Sequence, residues 1–162
     1  MKRYILILLT IISICGEAMA RDVYSLNNNW RFFFKEENSS DFARSVTLPH
    51  TWNANAIANS DSYLQTTANY RRTLHVPAEW QGQRLFLRFN GVQSVADVFV
   101  NGKHIGDHYG SYTAFALEIT NSVFYGEDNT LLVVVSNAHR NDVLPTSTEI
   151  NSYGGIYRDV EL

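Results

Sequence analysis

Apolar and polar positions alternate in short runs along most of this chain. No stretch of eleven or more residues keeps apolar positions at helical spacing with caps at both ends. Tyr70–Val76 is the first clear strand, bounded by Pro77. Arg84–Asn90 sets Leu85, Leu87 and Phe89 against Arg84, Phe86 and Arg88. Val95–Val100 runs into Asn101-Gly102, a dipeptide that tolerates positive φ at both positions and predicts a two-residue hairpin. His104–Asp107 is then the return strand, and Phe115–Ile119 follows. Thr130–Ser136 is a continuous apolar run, which predicts a strand buried on both faces. Gly155–Leu162 is the last, ending in mid-strand. Strands at this spacing, with turn residues between them, predict an all-β sandwich or barrel. Trp52–Asn69 is polar, Asn-rich and without period, and reads as a long loop of the kind that carries function.

The first twenty residues have a different character. Lys2 and Arg3 precede an apolar run from Tyr4 to Cys15, and Ala18-Met19-Ala20 supplies a small-x-small cleavage pattern. Residues 1–20 are therefore expected to be a secretory signal, with residues 21–162 as one domain in a secreted or periplasmic protein. The apolar run is short for a bilayer span. A lipoprotein signal is disfavoured because bulky Ile14 precedes Cys15. Cys15 is the chain's one cysteine, so the domain has no disulfide framework and no Cys-rich metal site.

Composition narrows the function classes. The chain has 162 residues, 45% hydrophobic and 13% aromatic, which excludes intrinsic disorder. Its formal net charge is −3, with no basic stripe for nucleic acid. There is no Gly-x-Ser-x-Gly elbow, no phosphate-binding loop and no dinucleotide fingerprint. His104 and His108 are four apart but flank an expected Gly106-Asp107 turn, so a helical metal pair is not expected. Asn38-Ser39-Ser40 matches a glycosylation sequon. No pair of carboxylates stands out by spacing. Asp159 differs in kind because it lies in an apolar stretch after Gly154-Gly155. It reads either as an ion pair with Arg158 or as a carboxylate held at a sheet end for a ligand. Trp52, Tyr63 and Tyr109 could stack on sugars or serve in packing.

Several stretches, taken in order, carry a resemblance. They are Asn29-Trp30-Arg31-Phe32, Leu48-Pro49-His50-Thr51-Trp52-Asn53 and Tyr70-Arg71-Arg72-Thr73-Leu74. Further on come Phe89-Asn90-Gly91-Val92, Ala96 to Lys103, Ile105 to Phe115, Asp128 to Asn137, and Gly154-Gly155-Ile156-Tyr157-Arg158-Asp159-Val160. Together they resemble the N-terminal sugar-binding domain of glycoside hydrolase family 2, which includes β-galactosidases, β-glucuronidases and β-mannosidases, and the resemblance implies a β-galactosidase-like parent. The resemblance implies a jelly-roll, galactose-binding-like β-sandwich. It implies partners in a further β domain and a TIM barrel whose two glutamates act in a retaining mechanism. It also implies that Asp159 reaches the substrate and helps hold a cation, Na+ or Mg2+, in the full enzyme, and that Glu149 offers a second polar contact. No catalytic residue is expected in this chain, and no membrane span. Thr67-Ala68-Asn69 departs from the family pattern ahead of Tyr70. A free-standing carbohydrate-binding module, and a sandwich used only for protein contact, stay open as alternatives.

Overall fold

The computed structural model describes residues 21–37, 42–55, 63–144 and 153–162. The expected leader, the Asn38 sequon and Glu149 lie outside them. Nine strands are described: β1 (Trp30–Phe34), β2 (Arg44–Val46), β3 (Thr67–Val76), β4 (Phe86–Phe89), β5 (Val95–Val100), β6 (Lys103–Tyr109), β7 (Phe115–Glu118), β8 (Glu127–Ser136) and β9 (Val160–Glu161). They form two antiparallel sheets, one ordered β2-β1-β3-β8-β5-β6 and the other β7-β4-β9. The fold is the expected all-β sandwich.

Period-two alternation builds the core between the sheets. Trp30 and Phe32 of β1, Tyr70, Leu74 and Val76 of β3, and Leu131, Val133 and Val135 of β8 come from the large sheet. Leu87 and Phe89 of β4 and Val160 of β9 meet them from the small one, and all join one cluster. Arg72 shares the inward parity of β3 but is half-buried. Its guanidinium sits 5.6 Å from the Trp30 ring, and it donates to the Leu26 carbonyl at 2.5 Å. The Trp30 indole donates to the same oxygen at 2.6 Å. A cation at the core margin is thus held by an aromatic face and a backbone acceptor.

Asn101-Gly102 forms the expected hairpin turn, with φ of +51° and +79° between the paired Val100 and Lys103. The Asn101 side chain also ties the turn to β8. Its oxygen accepts from the Thr130 amide at 2.9 Å, and its nitrogen reaches Asn129 Oδ1 at 2.7 Å. Buried Asn129 in turn accepts from the Phe124 amide and donates to the Phe124 and Glu127 carbonyls. Every polar atom of that buried amide is satisfied.

Three expectations are corrected. β8 is not buried on both faces: Leu131, Val133 and Val135 are buried, whereas Leu132 and Val134 are half-buried on the outer face. The polar stretch from Trp52 ends before Asn69, because Thr67, Ala68 and Asn69 already pair with Ser136, Val135 and Val134. Fully buried Ala68 fits the core face there, and the ladder satisfies the backbone. Gly106-Asp107 is strand, not turn. A register shift between Val98 and Phe99 places His104 opposite Phe99 and His108 opposite Ala96, so the two imidazoles serve different faces.

One-sided burial of β8 has a direct check. Leu131→Ala should cost about 2–5 kcal/mol, as for a fully buried leucine. Leu132→Ala should cost less than half as much in urea denaturation. Equal costs would contradict the one-sided packing.

Candidate functional site

The closing segment, residues 153–162, collects the chemistry-bearing groups at one end of the sandwich. Glycine chemistry seats it. Gly154 lies against the Trp52 ring, where a Cβ would come within 1.8 Å of an indole carbon. Gly155 has φ +137°, and a Cβ there would lie 2.3 Å from the His50 carbonyl oxygen. Only glycine tolerates that conformation and that approach. The His50 amide donates to Ile156 O at 2.8 Å, the Trp52 amide to Gly154 O at 3.3 Å, and the Gly154 amide to Asn53 Oδ1 at 2.7 Å. The motif from His50 to Asn53 and the double glycine therefore form one built unit.

Beneath this unit lies a buried polar contact. His50 Nδ1 and Tyr70 Oη are 2.7 Å apart. Burial pushes the Tyr70 phenol far above its usual range and lowers His50. Tyr70 therefore keeps its proton, and the phenol and the neutral imidazole share one hydrogen bond whose direction is set by the histidine tautomer. Trp52 packs near Phe32 and Phe34 at 6.1 and 6.2 Å between ring centroids and donates its indole N–H to Leu64 O at 3.1 Å. This aromatic is a packing residue rather than an open platform. Tyr63 is half-buried, and Tyr109 is 52% exposed with the Arg140 guanidinium 5.4 Å from its ring centroid.

Beside the double glycine runs the connection from β4 to β5. Gln93 donates its backbone N–H to Gly155 O at 3.0 Å, and Ser94 donates to Ser136 O at 2.8 Å. Gln93 is 1% exposed, yet among the described residues neither its amide oxygen nor its amide nitrogen has a hydrogen-bond partner. An orphaned buried amide is costly. Across the same end, Tyr157 donates its hydroxyl to the Ser111 carbonyl, and Ser111 Oγ donates to Leu144 O at 2.9 Å.

Asp159 is exposed and lies just before β9 rather than inside a long strand. Asn27 Nδ2 donates to its Oδ1 at 2.8 Å, while Asn27 Oδ1 accepts from the Val160 amide at 3.0 Å. Of the two readings of Asp159, the ion pair with Arg158 does not form among the described residues. Arg158 instead donates to Asn90 O at 3.3 Å and lies over the Tyr157 ring. Asp159 is thus a carboxylate oriented at a sheet end by an asparagine. Among the described residues, no three or more His, Cys, Asp or Glu converge on a point. Hard cations take about six or more oxygen ligands. Asp159 could supply one such oxygen, and the resemblance puts the cation in the full enzyme.

Sequence reading singled out Asp159 but missed Gln93, Asn27 and the His50–Tyr70 contact. Asn27 opens a run of three asparagines, a polar cluster that marks a turn. Nothing in the sequence marks Gln93, because an unsatisfied amide is defined by neighbours distant along the chain.

Two expectations follow. Gly155→Ala should lower stability by about 1–3 kcal/mol for backbone strain alone, read as a depressed thermal midpoint. An unchanged midpoint would mean that the close approach is not real. Burial also lowers the His108 imidazole, with the same sign as His50. Below the ordinary histidine value of about 6.5, the unfolded chain binds protons that the fold resists. Stability is therefore complete above that pH and is lost as pH falls through it towards the lowered native values. Urea midpoints measured between neutral and acid pH should show this fall, and His50→Gln should lessen its slope. An identical slope in the variant would remove His50 from the account.

Comparison with known proteins places this geometry. Residues 23–162 match the model for glycosyl hydrolases family 2, sugar binding domain. A β-glucuronidase of Bacteroides fragilis is 50% identical over 155 residues, covering 95% of this chain and 22% of the relative. A β-galactosidase of Thermoanaerobacterium thermosulfurigenes is 32% identical over 155 residues, covering 88% of this chain and 21% of the relative. The crystal structure of a Bacteroides uniformis β-glucuronidase superposes with a TM-score of 0.78 at 36% identity, over 88% of this chain and 18% of that one. The chain thus spans about a fifth of the length of these relatives, at 22%, 21% and 18%. Among the described residues, no helix is long and apolar enough to cross a membrane. The chain belongs to glycosyl hydrolase family 2, of which it is the sugar-binding domain.

Proposed function

We propose that this domain is the non-catalytic N-terminal sandwich of a longer retaining glycosidase, and that it packs on and completes a TIM barrel carrying the two catalytic glutamates. The observation that carries the reading is the match across residues 23–162 by a chain spanning only about a fifth of its relatives, 22% in one case. The loop end supports the choice of surface. Asp159 is exposed and oriented there by Asn27. In this reading Asp159 and Glu149 supply polar contacts to the sugar, while bond cleavage belongs to the barrel. Identity favours a β-glucuronide as the parent's substrate, since the glucuronidase relative reaches 50% and the galactosidase 32%. Residues 1–20, read as an export address, support a parent in the periplasm or outside the cell.

The test has two arms. This chain alone should leave 4-nitrophenyl β-glucuronide and β-galactoside intact. The reading frame continued past the Leu162 codon should encode a barrel, and its product should hydrolyse the glucuronide faster. Turnover by the chain alone would overturn the proposal. So would a stop codon after Leu162 together with calorimetric binding of galactose or glucuronate, an outcome that favours a free-standing carbohydrate-binding module.

A further inference from the structure

The outer face of the six-stranded sheet carries charge in an unusual arrangement. Arg31 of β1 lies directly opposite Arg71 of β3. On the other side of the same sheet, Asp97 of β5 lies directly opposite Asp107 of β6. Like charges placed opposite one another on neighbouring strands destabilise a sheet. Neither arginine forms an ion pair or hydrogen bond among the described residues, and both are exposed. Among the described residues Asp107 has no ion-pair partner, and Asp97 has the His104 imidazole at 3.8 Å. Between the two pairs run half-buried Leu132 and Val134 of β8, with Phe99 beside them. The registers align these residues into two rows. One row reads Arg31, Arg71, Leu132, Phe99, His104, and the next reads Phe33, Asn69, Val134, Asp97, Asp107.

We propose that this face is a self-complementary surface that takes a second copy of the same chain. A two-fold axis lying in the interface along β8 carries the β1–β3 side of one copy over the β5–β6 side of the other. Leu132 and Val134 then meet their own counterparts at the centre. Each arginine pair comes within one row of the partner's aspartate pair, a step that an arginine side chain spans. The same contact occurs twice, as an isologous interface requires. A small anion would answer the arginines alone and leave the aspartates unpaired, and a cation would do the reverse. A second copy answers both at once and covers the apolar centre, and it turns two destabilising pairs into complementary charge.

The experiment is sedimentation equilibrium of the whole chain from low to high micromolar concentration. A dimer is expected, and it should weaken as added salt screens the charges. R31E/R71E makes the face acidic throughout, and D97K/D107K makes it basic throughout. Each variant alone should dimerise at least about tenfold more weakly. Mixed in equal amounts, they should form a heterodimer, because each reversed pair then meets its opposite. Circular dichroism melts of both variants establish folding. If either fails to fold, the neutral pairs R31Q/R71Q and D97N/D107N replace them; each should weaken dimerisation, and mixing should restore it in part, because the heterodimer keeps one of the two arginine–aspartate contacts. A chain that stays monomeric throughout would overturn the proposal, as expected if another domain covers the face. A dimer indifferent to all four substitutions would also overturn it.

Discussion

The backbone of residues 154–162 is hydrogen-bonded to strands and loops on both sides, and the candidate site depends on that double attachment. On one side, the Leu26 amide donates to Val160 O, and Tyr24 exchanges two bonds with Leu162, each at 2.8 Å. On the other, Asn90 donates to Asp159 O and Gln93 to Gly155 O, both at 3.0 Å. Where neither neighbour offers a ladder partner, side chains stand in: Asn27 takes the Val160 amide, and Asn53 takes that of Gly154. Backbone groups in a buried strap must be satisfied one by one, which fixes the strap's path closely. A segment held this way presents Asp159 and the double glycine in one geometry. A mobile tail could not.

The strap also explains why polar residues that look alike differ in consequence. Asn129, Asn101 and Asn53 are buried or half-buried amides whose atoms meet protein partners, so they hold turns and loops together. Gln93 is just as buried and has none. Asp159 uses Asn27 for one oxygen and is otherwise open to solvent. The first group is explained by the domain itself. The second is not explained by partners among the described residues, and it lies on or against one hydrogen-bonded strap. The distinction rests on satisfaction rather than residue type.

Much of the sandwich was legible in local pattern. The alternation of Leu87 and Phe89 against Phe86 and Arg88, and the Asn101-Gly102 turn, survive almost unchanged because period and turn chemistry are local properties. β1 was visible only through the resemblance, since Phe32-Phe33-Phe34 hides its alternation, and β2, the short strand Arg44–Val46 paired with it, was not anticipated. β8 was misread because Leu132 and Val134 are as apolar as Leu131 and Val133. Hydropathy cannot tell a face that meets the core from one that meets solvent or a partner. Asp159 was found as a residue, but its partner was not: Arg158 is adjacent in sequence, whereas Asn27 lies 132 positions away. Contacts of that span are set by sheet order, and sheet order was not readable from spacing.

The misreading of β8 bears on the whole molecule. An outer sheet face needs no Leu132, Val134 and Phe99 in a band, because polar β-formers would hold the strands equally well. Nor does it need arginines opposite arginines and aspartates opposite aspartates, which cost stability in the isolated domain. Local propensity, core packing and turn chemistry agree elsewhere in this fold. Where they disagree with the charge pattern, the compensation lies outside the single chain, and natural folds break local rules chiefly where they meet a partner or a ligand. The strap end and the outer face of the large sheet are the two places where this domain does so. One departs in hydrogen bonding and the other in charge, so each can be disturbed without disturbing the other.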